Sequence, residues 1–150
     1  MRTPIILVVF LLALVLVACS SQVNEGASGT VMGTIPESEL SAGRSARTTF
    51  DLSPGKYVLI CNIPGHYKDG MFEAFQVDGL EASRVNTVSV VLGEWFIRPE
   101  PTSLSAGPIT FEVNNSGKST HNLVVIKTDM APNALVVKWW AEIAGHQRRV

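Results

Sequence analysis

Residues 57–77 read Tyr-Val-Leu-Ile-Cys-Asn-Ile-Pro-Gly-His-Tyr-Lys-Asp-Gly-Met-Phe-Glu-Ala-Phe-Gln-Val. A thiol at Cys61, an imidazole at His66 and a thioether at Met71 follow one another as Cys-x4-His-x4-Met. Each type has a common structural use by itself: the cysteine as a small buried hydrophobe, the histidine as a hydrogen-bonded surface group, the methionine as a filler of core gaps. Presented by one loop they become soft and borderline donors at short spacing. A Cys and His trigonal plane with a weak axial Met is the ligand set of a blue-copper electron-transfer site.

Strands have to place these groups. After the turn pair Pro54 and Gly55, the short β-branched and aromatic run 57–61 reads as a buried strand that delivers Cys61 to its end. Pro64 and Gly65 punctuate the loop, Gly70 follows, and an alternating strand leaves through Phe72 to Val77. Upstream, residues 31–46 hold a modest strand or loop and a turn at Pro36-Glu37-Ser38-Glu39-Leu40. Thr48, Phe50 and Leu52 then alternate with Thr49 and Asp51, so Phe50 and Leu52 face a core with Val58 and Ile60 or with the opposite set. Residues 78–86 are polar and read as a connector. Beyond it Val88, Val90 and Leu92 alternate, Trp95 and Ile97 continue the run, and Pro99 and Pro101 stop it. Ile109, Phe111 and Val113 alternate up to the turn Asn114-Asn115-Ser116-Gly117, and a last strand, 122–127, starts after His121. Short strands at this spacing, with no helical period, predict an all-β sandwich.

With Pro-Gly before the histidine and Gly before the methionine, the Cys61 loop resembles the C-terminal copper-binding loop of the cupredoxins, in length closest to the rusticyanin and sulfocyanin type. Ile109-Thr-Phe-Glu-Val-Asn-Asn-Ser-Gly, followed by His121 and Asn122, resembles the N-terminal half of the same family. The resemblance implies a cupredoxin-like Greek-key β-sandwich and one type 1 copper ion held by Cys61, His66 and His121 in the plane with Met71 as axial ligand. It also implies that Asn122 ties its loop to the Cys61 loop and aims its backbone N–H at the cysteine sulfur, with Asn62 and Gly65 supporting the ligands. Tyr67, Phe72 and Ile63 would form an apolar shell, and the exposed edge of His66 an electron port. One departure stands out: the cysteine half, 31–78, precedes the histidine half, 87–130. The domain at 31–130 is therefore circularly permuted or assembled from two tandem half-domains, and a domain-swapped homo-oligomer could also supply the missing half.

The N-terminus gives an address. Arg2 precedes an unbroken apolar run at 5–17, shorter than the ~20 residues that span a bilayer and suited to a signal peptide. It ends in Leu16-Val17-Ala18-Cys19, which resembles a lipoprotein processing site with Cys19 as the lipid-bearing first residue. Residues 1–18 are thus the expected signal peptide and 19–30 a polar tether to a bacterial membrane, on its extracytoplasmic side. If Cys19 carries lipid, Cys61 has no disulfide partner, and in an oxidising compartment a bound metal would occupy it. A dinuclear copper centre needs a second cysteine in the loop, and multicopper oxidases carry His-Cys-His pairs, which are absent. Twelve Lys and Arg against thirteen Asp and Glu, a net charge of −1, give no basic patch for nucleic acid. The tail 131–150, with Val136, Val137, Trp139, Trp140 and Ile143, fits a short helix or a strand, and His146 reads as a surface group. The expected activity is single-electron transfer to and from a redox partner protein, not catalysis. The alternatives are a copper-binding chaperone lipoprotein and a structural domain with an incomplete site.

Overall fold

A computed structural model describes residues 29–79 and 86–135. The signal segment, Cys19, residues 80–85 of the connector, the apolar tail from 136 and His146 lie outside the described residues. Within them the strands run in chain order as β1 (Thr30–Ile35), β2 (Ser45–Leu52), β3 (Gly55–Ile60), β4 (Phe72–Asp78), β5 (Asn86–Gly93), β6 (Phe96–Glu100), β7 (Ser103–Ser105), β8 (Gly107–Asn115) and β9 (Leu123–Lys127). A 3-10 turn at Pro132–Ala134 is the one helical element among the described residues.

One sheet has the order β1-β9-β3-β4-β7 and the other β2-β8-β5-β6. Both are mixed, because β4 pairs with β7 and β5 with β8 in parallel. This is the β-sandwich that the alternating runs predict. The cysteine half and the histidine half both contribute strands to each sheet, so the two halves share one core.

Alternation decides what fills that core. Leu52 and Phe50 of β2 share the core with Tyr57 and Leu59 of β3 and with Cys61 just beyond its end, the opposite set to Val58 and Ile60. Val88, Val90, Leu92, Ile109, Phe111 and Val113 close the core from the other sheet. Fully burying one such aliphatic or aromatic side chain contributes about 1.5–3 kcal/mol. Strands β3 and β9 are covered on both faces: Val58, Ile60, Val124 and Ile126 form an outer cluster with Tyr67 and Leu135. That double burial is why β9 reads as a continuous apolar run instead of an alternating one.

The run expected through Trp95 to Ile97 breaks. Strand β5 ends at Gly93, β6 begins at Phe96, and the two pair across a two-residue turn, Glu94-Trp95. Pro99 does not stop β6, which continues to Glu100 with Pro99 opposite Val90. The reason is position: β6 is an edge strand, where a proline removes no needed ladder bond.

Candidate metal centre

Strands β3 and β9 pair antiparallel with Ile60 opposite Val124. Extending that register past the strand ends sets Asn62 opposite Asn122, with Cys61 and His121 beside the same seam. The backbone N–H of Asn62 donates to Asn122 Oδ1 at 2.8 Å, and Asn122 Nδ2 donates back to Asn62 Oδ1. A further tie comes from the His121 N–H, which donates to the Leu40 carbonyl at 3.1 Å.

The Cys61 loop closes on itself through its backbone. The Cys61 N–H donates to the Met71 carbonyl at 3.1 Å and the Met71 N–H to the His66 carbonyl at 3.0 Å. Gly65 has φ +94, a left-handed conformation that glycine adopts without penalty, and it turns the chain into His66. The result gathers the predicted donors. Cys61 Sγ lies 3.4 Å from His66 Nδ1 and 4.0 Å from His121 Nδ1, and the two Nδ1 atoms are 3.2 Å apart. Cys61 and His121 are fully buried, and His66 is half-buried. Met71 is buried in the same core cluster as Cys61.

Electrostatics favour the neutral forms of Cys61 and His121. Burial pushes the Cys61 thiol up, while the backbone N–H groups of Asn122 and Ile63, directed at the sulfur, oppose it. Burial also pushes His121 down, helped by the charge of His66 and opposed by Glu94. A neutral imidazole is the form that binds a metal, and a metal ion deprotonates a thiol that coordinates it.

The donor set fits such an ion. Atoms about 2.0–2.3 Å from one shared ion lie about 3.3–3.8 Å from each other, the spacing class seen at this cluster. His121 has little else to bond: its Nε2 is buried with no partner among the described residues, and its Nδ1 faces only the thiol and the other imidazole. A shared ion would use Nδ1, the ring atom that faces Cys61 and His66, and would leave Nε2 on the far side of the ring. A thiolate and two imidazoles with a thioether nearby are soft enough for copper.

Two expectations are corrected. Tyr67 and Phe72 do not line the donors; they pack on each other at 5.3 Å within the outer cluster. Tyr67 Oη donates to the Pro132 carbonyl at 2.8 Å and accepts from the Leu135 N–H at 3.0 Å. The turns wound between Ile63 and Gly70 send adjacent residues, His66 and Tyr67, to opposite faces of the sheet. Ile63 does pack against the main core. The apolar group at His66 is Trp95, whose ring meets the imidazole edge-on at 5.3 Å and 87°. Local alternation makes Trp95 a strand residue; Gly93 before Glu94-Trp95 is the signal that a turn puts it elsewhere.

A family model described as the sulfocyanin (SoxE) domain matches residues 12–86, half of the 150-residue chain. The matched stretch carries Cys61, His66 and Met71, whereas His121 and Asn122 lie beyond it and reach the cluster through the fold. Searches against curated proteins and against solved structures gave no match.

Proposed function

The chain belongs to the sulfocyanin (SoxE) domain family, a cupredoxin-type copper domain, and on that premise we propose that it is a lipid-anchored, extracytoplasmic blue-copper protein that passes single electrons. Cys61, His66 and His121 would hold the ion, with Met71 as a weaker fourth donor that tunes its potential. Copper in such a set supplies a one-electron couple. The observation that carries the reading is the convergence of Cys61 Sγ, His66 Nδ1 and His121 Nδ1 in a buried corner of one chain.

What the residues do follows from their anchoring. The β3 and β9 seam and the Asn62–Asn122 bonds hold the donors in place, so little reorganisation accompanies a change of charge. Full burial of Cys61 and His121 keeps water from the sulfur and favours passage of electrons over handover of the ion. Half-buried His66 is the group nearest solvent, where a redox protein can dock briefly through a small interface. Four protein donors leave no open position for substrate, so the proposal assigns no enzymatic reaction. Cys19 would carry the lipid, leaving Cys61 free for metal, and the donors need no second copy of the chain.

Copper titration followed by visible absorption and voltammetry tests this. The expected result is one ion per chain, an intense thiolate-to-copper band and reversible reduction, with the band lost in Cys61→Ser. Binding without the band or without reversible reduction would instead favour a carrier of the ion.

A further inference from the structure

Two neighbouring residues reach the surroundings of both imidazoles. Glu94 Oε1 accepts from the Lys118 N–H at 2.6 Å and the Ser119 N–H at 2.8 Å, in the loop that leads into His121. Trp95, the next residue, sets its ring edge-on against His66. Together they form the β5–β6 turn, so one rigid hairpin reaches the approach to one imidazole and the ring of the other.

Further observations indicate that this arrangement is specified. Gly117 admits the carboxylate: a Cβ there would stand 2.9 Å from both Glu94 oxygens. Trp95 sits at φ +67, a region costly for a bulky residue, and the residue remains 49% exposed. The positive φ is the geometry a two-residue turn requires at this position, but the exposure of so large an apolar residue does not serve the core. The same hairpin also grips the start of the loop, since the Ser116 N–H and Oγ both donate to the Leu92 carbonyl, at 2.9 and 2.8 Å.

We propose that the Glu94-Trp95 turn is a positioning brace that sets the relation of the two imidazoles, Glu94 through the loop ahead of His121 and Trp95 through packing on His66. The inference rests on the copper-site reading for its importance, but the relation it concerns exists without metal. Glu94 and Trp95 are positioning residues, not ligands. Removing an outer partner of a metal ligand typically costs 10–100-fold in metal affinity.

The test uses Glu94→Ala, Glu94→Gln and Trp95→Gly in the full chain. Trp95→Gly removes the ring while glycine accepts the positive φ, so it separates loss of packing from misfolding. In the metal-free protein, NMR contacts between the His66 and His121 rings, whose centroids are 5.1 Å apart, should weaken in Glu94→Ala and Trp95→Gly. They should largely return in Glu94→Gln, whose amide oxygen still accepts from Lys118 and Ser119. Copper(II) titration should give about tenfold weaker binding in the first two variants, with a shifted absorption maximum. Wild-type ring contacts together with unchanged copper affinity and spectrum in Glu94→Ala and Trp95→Gly would overturn the brace. If the unaltered protein bound no copper, the copper-site reading would fail, while the ring contacts would still decide the brace.

Discussion

Asn62 and Asn122 exchange hydrogen bonds across the point where the cysteine-bearing strand meets the histidine-bearing one. The pair directly ties the two loops that supply the donors. Replacing Asn122 by Ala leaves the part-buried Asn62 N–H without its acceptor, a loss of about 0.5–1.5 kcal/mol. Chemical denaturation should register that loss, and copper affinity should fall by about 10–100-fold. Asn122→Asp, which still accepts from Asn62, should recover part of the stability.

Glu94 gives a pH signature. The Lys118 and Ser119 N–H groups hold its carboxyl down to about 2, from an ordinary 4.5. A depressed carboxylate adds stability that is complete above its unfolded value and is lost as pH falls towards the folded one. The metal-free protein should therefore lose stability between 4.5 and about 2. Glu94→Gln should lack that component, so the difference between the two denaturation profiles isolates it.

Tyr67 fastens the segment after β9 to the outside of the sheet. Its hydroxyl bridges the Pro132 carbonyl and the Leu135 N–H. In Tyr67→Phe the Leu135 N–H loses its acceptor, at a cost of about 1–3 kcal/mol. Hydrogen exchange at Leu135 should accelerate, while the copper spectrum, which depends on the opposite face, should stay unchanged.

Leu59 tests whether the centre and the core are separable. It is fully buried between Tyr57 and Cys61 on the inner face of β3. Leu59→Ala should destabilise the metal-free protein by about 2–5 kcal/mol. Copper should then raise the melting temperature of the variant, because a ligand that binds only the folded state stabilises it by mass action.

Most strands were legible in the sequence because alternation writes burial directly: Val88, Val90 and Leu92, or Ile109, Phe111 and Val113, have the pattern of one covered face. The candidate donors Cys61, His66 and Met71 stood out because they are close in sequence. His121 lies sixty residues from Cys61, and only a resemblance pointed to it; the β3–β9 register supplies the physical reason. What local pattern missed was the turn at Glu94-Trp95, where Trp95 looks like a strand residue and Gly93 is a weak signal. It also misplaced Tyr67, since proximity to His66 in the chain says nothing about which face of a wound loop each side chain takes. Pro99 misled for a similar reason, because edge position belongs to the sheet and not to the strand.

X-ray absorption at the copper edge of the loaded protein tests the central claim most directly. The account predicts one sulfur at thiolate distance and two imidazole nitrogens around each ion, with the sulfur absent in Cys61→Ser and one nitrogen absent in His121→Ala. A copper environment of nitrogen and oxygen alone, unchanged by either substitution, would contradict it.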